Sequence, residues 1–174
     1  MQYDPRNSPS SPAPIEPTGF FTGIKLRPII GGVIVDTIAT YALVTLYFTF
    51  FVAKELGAQG NGLSEDAVAQ YWNTSDGLTM SLTLGSLGTV IGGFYAAYKA
   101  GNLEMKHGAL VGIGSIILGL VLSGGSENEL PVWFMALSCA GANPAGAIGG
   151  FLAEMFKNAF SASQSSTGGG LPRA

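Results

Sequence analysis

Four long stretches of almost uncharged sequence constrain the fold of this chain more than any other feature. They are "PIIGGVIVDTIATYALVTLYFTFFVA" (28–53), "GLTMSLTLGSLGTVIGGFYAAY" (77–98), "HGALVGIGSIILGLVLSGG" (107–125) and "LPVWFMALSCAGANPAGAIGGFLA" (130–153). A helix rises 1.5 Å per residue, so about 20 mostly apolar residues cross the hydrocarbon of a bilayer. The first, second and fourth stretches meet that length. The third is shorter, but its Ile and Leu content and charged flanks favour a short span over a soluble core helix. Charged residues make up only 11% of the chain, less than half the share of about 25% usual in globular domains. The expectation is an all-α membrane protein with four antiparallel transmembrane helices in a domain over 25–157.

The flanking segments read differently. Residues 1–24 are rich in Pro and Ser and bury little, which predicts a disordered tail. Residues 158–174 begin as a surface helix and end in a flexible Ser/Gly tail. Orientation follows from the bias of Lys and Arg toward cytoplasmic loops. Placing both termini in the cytoplasm puts Arg6, Lys25, Arg27, Lys99, Lys106, Lys157 and Arg173 inside and leaves only Lys54, of eight basic residues, outside. In the first outer loop, "GLSEDAVAQYWN" predicts a short interfacial helix. Ser64 is its N-cap, Glu65 and Asp66 sit in the first turn, and Tyr71 and Trp72 suit the headgroup level.

Several functions are excluded or left without support. The net charge is −3 and no basic stripe or zinc pattern is present, so nucleic acid is not an expected partner. A single cysteine, Cys139, excludes an intrachain disulfide, and its apolar setting predicts a buried, inert thiol. His107, the only histidine, has no second His, Cys or nearby Asp to form a metal set or triad, and reads as part of a nine-residue cytoplasmic turn from Lys99 to His107. No nucleophile has a base at useful spacing, and no phosphate loop is visible. The expectation is no enzyme, no catalytic residue, no metal and no cofactor.

What remains are small-residue stripes and two polar features. Gly88, Gly92 and Ala96 recur at i+4 in the second stretch, as do Gly141, Ala145 and Gly149 in the fourth. In lipid, where tails are as apolar as Leu, helices associate through close packing at small residues. These stripes serve packing within one bundle, or assembly into a homo-oligomer or larger membrane complex. Asp36 lies eight residues beyond Pro28, about 12 Å along the helix and well inside the hydrocarbon. A carboxylate there costs about 2.5–3.5 kcal/mol on insertion scales. Thr37, Thr40, Ser81, Thr83, Ser86, Thr89 and Asn143 can supply hydroxyl or amide partners. Asp36 is then a register lock between helices, a proton- or cation-coupling group, or a contact to a partner subunit. Asn143-Pro144 interrupts the fourth stretch, either as a packing kink or as part of a polar site.

"GGFYAAYKAGNLEMKHGALVG" resembles the hairpin of a loosely defined group of small bacterial four-span membrane proteins. The shared pattern is a Gly-Gly-aromatic-x-Ala helix end, a short polar turn, then His-Gly-Ala. "GGVIVD" at Gly31 to Asp36 is similar to a segment of their first span, and "LSEDAVAQYW" resembles their outer-loop helix. The resemblance implies architecture and a bacterial inner membrane, not a mechanism. The expected role is a non-enzymatic scaffold, accessory or regulatory subunit. The alternative is a small oligomeric transporter or channel subunit, with Asp36, Asn143 and Pro144 lining a polar path.

Overall fold

A computed structural model of the chain describes residues 22–58, 60, 63–123 and 130–167. The expected terminal tails, up to residue 21 and from residue 168, lie outside the described residues. So does the connection over 124–129. All regular structure among the described residues is helical: α1 (Leu26–Tyr47), a π-helical stretch (Phe48–Val52), α2 (Ala53–Ala58), α3 (Glu65–Trp72), α4 (Ser75–Ala100), α5 (Glu104–Ser123) and α6 (Val132–Thr167).

Three helices among the described residues are long and apolar enough to cross a membrane: Leu26–Ala58, Ser75–Ala100 and Glu104–Leu122. The fourth expected span falls in α6. This helix is long enough at 36 residues, but Asn143, Pro144 and the small residues of its packing face dilute its apolar content. Each helix runs past at least one of its expected limits. The first continues through the π-helical stretch to Ala58, so that with 33 residues it is about 50 Å long, more than a hydrocarbon core of about 30 Å requires. The expected nine-residue turn contracts to Gly101–Leu103, because α4 runs on through Lys99 and α5 begins at Glu104. Gly101 takes the left-handed conformation (φ +76°) that closes α4, its N–H reaching the Ala97 carbonyl.

The long helices α1, α4, α5 and α6 alternate in direction, as the contact pairs Gly32–Gly92 and Gly88–Thr40, and Gly108–Gly150 and Gly112–Ala142, require. α4 and α5 form the centre, each touching α1 on one side and α6 on the other. The contacts are mostly backbone on backbone. Gly93 meets Gly146, Gly146 meets Gly108, and Gly112 lies against Ala142. Gly92 packs on the Gly32 carbonyl, while Ala96 is fully buried beside Gly32. Within the predicted stripes, Gly88 and Gly92 face α1, Ala145 is buried, and Gly149 lies against Val90 and Phe94 of α4. Gly141 is a correction: nothing lies within 4 Å of where its side chain would project. The α6 face that packs is Ala142, Gly146, Gly149, Gly150 and Ala153, centred about a third of a turn from Gly141.

At the turn end, side chains tie the four helices together. His107 is fully buried. Its Nδ1–H donates to the Leu103 carbonyl at 3.0 Å, and its Nε2 accepts the Lys25 backbone N–H at 3.0 Å. The Lys25 ammonium donates to the Ala100 carbonyl at 2.9 Å, and Lys157 donates to the Ala97 carbonyl at 3.1 Å and to Glu104 at 3.0 Å. Both lysines thus sit on the last carbonyls of α4, where a helix end favours positive charge. His107→Ala should remove two hydrogen bonds, strand the Lys25 N–H and open a cavity, costing about 2–4 kcal/mol. Thermal unfolding in detergent checks this, and a loss below about 0.5 kcal/mol would rule out the staple.

Candidate functional site

The polar centre of the bundle is Asp36, 4% exposed on the inner face of α1. Hydroxyls from three helices donate to it. Thr40 of α1 reaches Oδ1 at 3.2 Å, Thr89 of α4 reaches Oδ2 at 3.2 Å, and Ser115 of α5 also donates to Oδ2. The backbone comes this close because Gly88 and Gly92 present no side chain: a Cβ at Gly92 would stand 2.7 Å from the Asp36 Cβ. Thr89 has a second acceptor, the Gly85 carbonyl at 3.0 Å. Among the described buried side chains, no polar atom lacks a partner.

Asp36 divides the bundle into two unlike halves. Toward the turn end, the Gly32–Gly92 and Gly93–Gly146–Gly108 contacts close the interior. Toward the opposite end the helices diverge around a cavity of about 420 Å³, with Asp36, Thr89 and Ser115 at its floor. Leu82, Ile116, Leu118, Phe134 and Met135 make its walls largely apolar, and Thr37, Ser81, Ser86 and Ser138 add hydroxyls. Thr37 and Ser138 are each bonded to a carbonyl of their own helix, at 2.8 Å, so these two hydroxyls do not present their hydrogens to the cavity. The site is a closed-bottomed cleft, not a through-path.

Of the predicted partners of Asp36, Thr40 and Thr89 are in place and Thr37, Ser81 and Ser86 line the cavity above it. Asn143 and Pro144 are not part of this site: both are exposed on α6. Sequence reasoning missed Ser115, although a signal existed. Asp36 lies eight residues past Pro28 and Ser115 eight past His107, and helices entering from one face in the same direction place such residues at one depth. Cys139 is also a correction, being exposed rather than buried. It lies on α6 at the edge of the cavity, between the exposed Ala136 and Ala140.

A second hollow, of about 670 Å³, lies at the far end between α2, α3 and the start of α4. Ser64 caps α3, accepting the Ala67 N–H at 3.3 Å. The Tyr47 and Tyr71 hydroxyls meet at 2.7 Å, beside Trp72. Burial first, then the Tyr47 hydroxyl and the charges of Glu55 and Asp76, hold the Tyr71 phenol protonated well above its usual range. Among the described residues, no three His, Cys, Asp or Glu side chains are grouped so as to hold a metal. No known protein family matches the chain, and comparison with curated proteins and with solved structures likewise finds no match.

Proposed function

We propose that the protein is a four-span scaffold or accessory subunit of a bacterial inner membrane, with both termini in the cytoplasm and no catalytic activity. The observation that carries this reading is the saturation of Asp36. Both carboxyl oxygens accept hydroxyls from three different helices, and the interior beneath is closed by backbone contact. An acid held this way fixes helix register and depth. It offers no path from one side to the other. A membrane role for α6 is supported by its outward face, where Trp133, Leu137, Ile148, Phe151 and Leu152 are exposed. α1 presents a similar face through Ile30, Ile34, Ile38 and Tyr41. Exposed apolar surface of this extent suits lipid.

The ends of the bundle support the orientation. Lys25, Arg27, Lys99, Lys106 and Lys157 gather at the turn end, whereas Lys54 lies at the opposite end with Glu55, Glu65, Asp66 and Asp76. That is the charge asymmetry expected of a cytoplasmic turn, and on this reading the Tyr47–Tyr71–Trp72 cluster belongs at the outer headgroups. In a Cys139→Ala background, cysteines at Asn102 and Asn158 should resist an impermeant thiol reagent in intact cells, whereas one at Gly57 should react. Labelling at Asn102 would overturn the orientation.

The transporter alternative rests on one observation, the 420 Å³ cavity that reaches Asp36. Sealed liposomes separate the two readings. A scaffold should pass protons and alkali cations no faster than protein-free vesicles. Flux above that background, abolished by Asp36→Asn without loss of folding, would replace the scaffold with the transporter.

A further inference from the structure

We infer that the protein pairs with a second copy of itself through α6, across Asn143. The inference rests on α6 crossing the membrane, as proposed above. Asn143 is exposed, and its carboxamide has no hydrogen-bond partner among the described residues. Pro144 follows inside the continuous helix. It has no N–H to offer the carbonyl four residues back, that of Ala140. The outer surface of α6 therefore carries a donor and an acceptor, one helical turn apart, at a depth where water is absent. Hydrocarbon satisfies neither.

The occupant follows from the chemistry. The carboxamide supplies both N–H and C=O, and Ala140 supplies a further C=O, so this patch is complementary to itself. An isologous pair about a two-fold axis joins like to like. Because every copy has the same orientation in the bilayer, the axis must be the membrane normal. It sets two α6 helices parallel with their Asn143 residues level. Each Asn143 N–H then donates to the Asn143 or Ala140 carbonyl of the other copy. Ala136, Ala140 and Ala147 share this stripe, and Ala136 and Ala140 are exposed, so the stripe is small around Asn143, with the bulky Trp133 and Phe151 only toward its two ends. Asp36 and its cavity lie on the other side of α6 and take no part.

The test uses the full chain in native membranes, in a Cys139→Ala background. Under mild oxidation A140C should cross-link to a dimer, whereas I34C, on the outward face of α1, should remain monomeric. Without oxidation, the parent chain should show a two-chain mass in mild detergent. N143L should weaken pairing about tenfold, as expected for two symmetric interhelical hydrogen bonds, and N143Q should restore it. In detergent dilute enough to leave every chain monomeric, both variants should keep the parent unfolding temperature, since the Asn143 side chain is exposed on α6. A140C that cross-links no more than I34C, or N143L that pairs as tightly as the parent, would overturn the inference. Impermeant reagent separates the two levels of failure. An A140C thiol that stays shielded yet never cross-links refutes the dimer alone. One that reacts refutes the fourth span and the dimer with it.

Discussion

Gly146→Ala should destabilise the bundle by about 2 kcal/mol or more, despite a gain of about 1 kcal/mol in helix propensity. Gly146 sits where α4, α5 and α6 converge. A Cβ there would collide with the Gly108 carbonyl and stand 3.0 Å from its carbon and 3.1 Å from the Gly112 nitrogen. Gly93 presses on the same residue, its own missing Cβ lying 2.5 Å from the Gly146 carbonyl oxygen. All of these neighbours are backbone, so no rotamer change can make room. α5 and α6 must separate, and they forfeit the dispersion attraction that holds helices together where no hydrophobic force acts between them. Gly146→Leu should yield no stable protein. Gly141→Ala is the matched control, with nothing within 4 Å of the new methyl, and should be neutral or stabilising by up to about 1 kcal/mol. Equilibrium unfolding in detergent decides, and equal stability of the two alanine variants would refute the backbone-contact account.

The same pair of glycines marks what the sequence could and could not convey. Rough position along each helix was legible, because apolar runs and flanking charges mark the ends. Thr89, Ser115 and Asn143 fall near the middle of their runs, and Asp36 about a third of the way along the first. Azimuth was not legible. In a soluble helix the polar face identifies the buried face by contrast, but here lipid and interior are both apolar and the contrast vanishes. Gly is also abundant, at 26 residues, so several i+4 stripes can be drawn through one helix. The stripe through Gly88, Gly92 and Ala96 is buried against α1, whereas in the other stripe Ala145 and Gly149 are buried and Gly141 alone falls off the packed face. Asn143 was expected beside Asp36 on a polar path, but it is exposed on α6 and outside that site. The cap at Ser64 and the left-handed Gly101 were readable, since local chemistry determines them. The bond from Lys25 to His107 was not, because it joins residues 82 apart.

Asp36→Leu should cost about 2–4 kcal/mol and Asp36→Asn less than about 1 kcal/mol. Leu has nearly the shape of Asp, so the two substitutions differ chiefly in what they offer the hydroxyls of Thr40, Thr89 and Ser115. Each interhelical polar contact in a membrane contributes about 0.6 kcal/mol on average and up to about 1.7. Three converge on this one carboxyl. Leu removes every acceptor and sets larger methyl groups against the Gly88 and Gly92 backbones. Thr89 can fall back on the Gly85 carbonyl, so its share is the smallest. Asn keeps one acceptor oxygen, and its amide can donate to hydroxyls that rotate to receive it. A double-mutant cycle makes the point sharper. Ser115→Ala should destabilise the parent chain but cost almost nothing once Asp36 is Leu, because the bond is already gone. If Asn proved as damaging as Leu, an ionised carboxylate rather than a hydrogen-bonding shape would be the element the bundle requires. If Leu were tolerated, the acid would contribute nothing to register, and its retention at the floor of a 420 Å³ cavity would then favour transport.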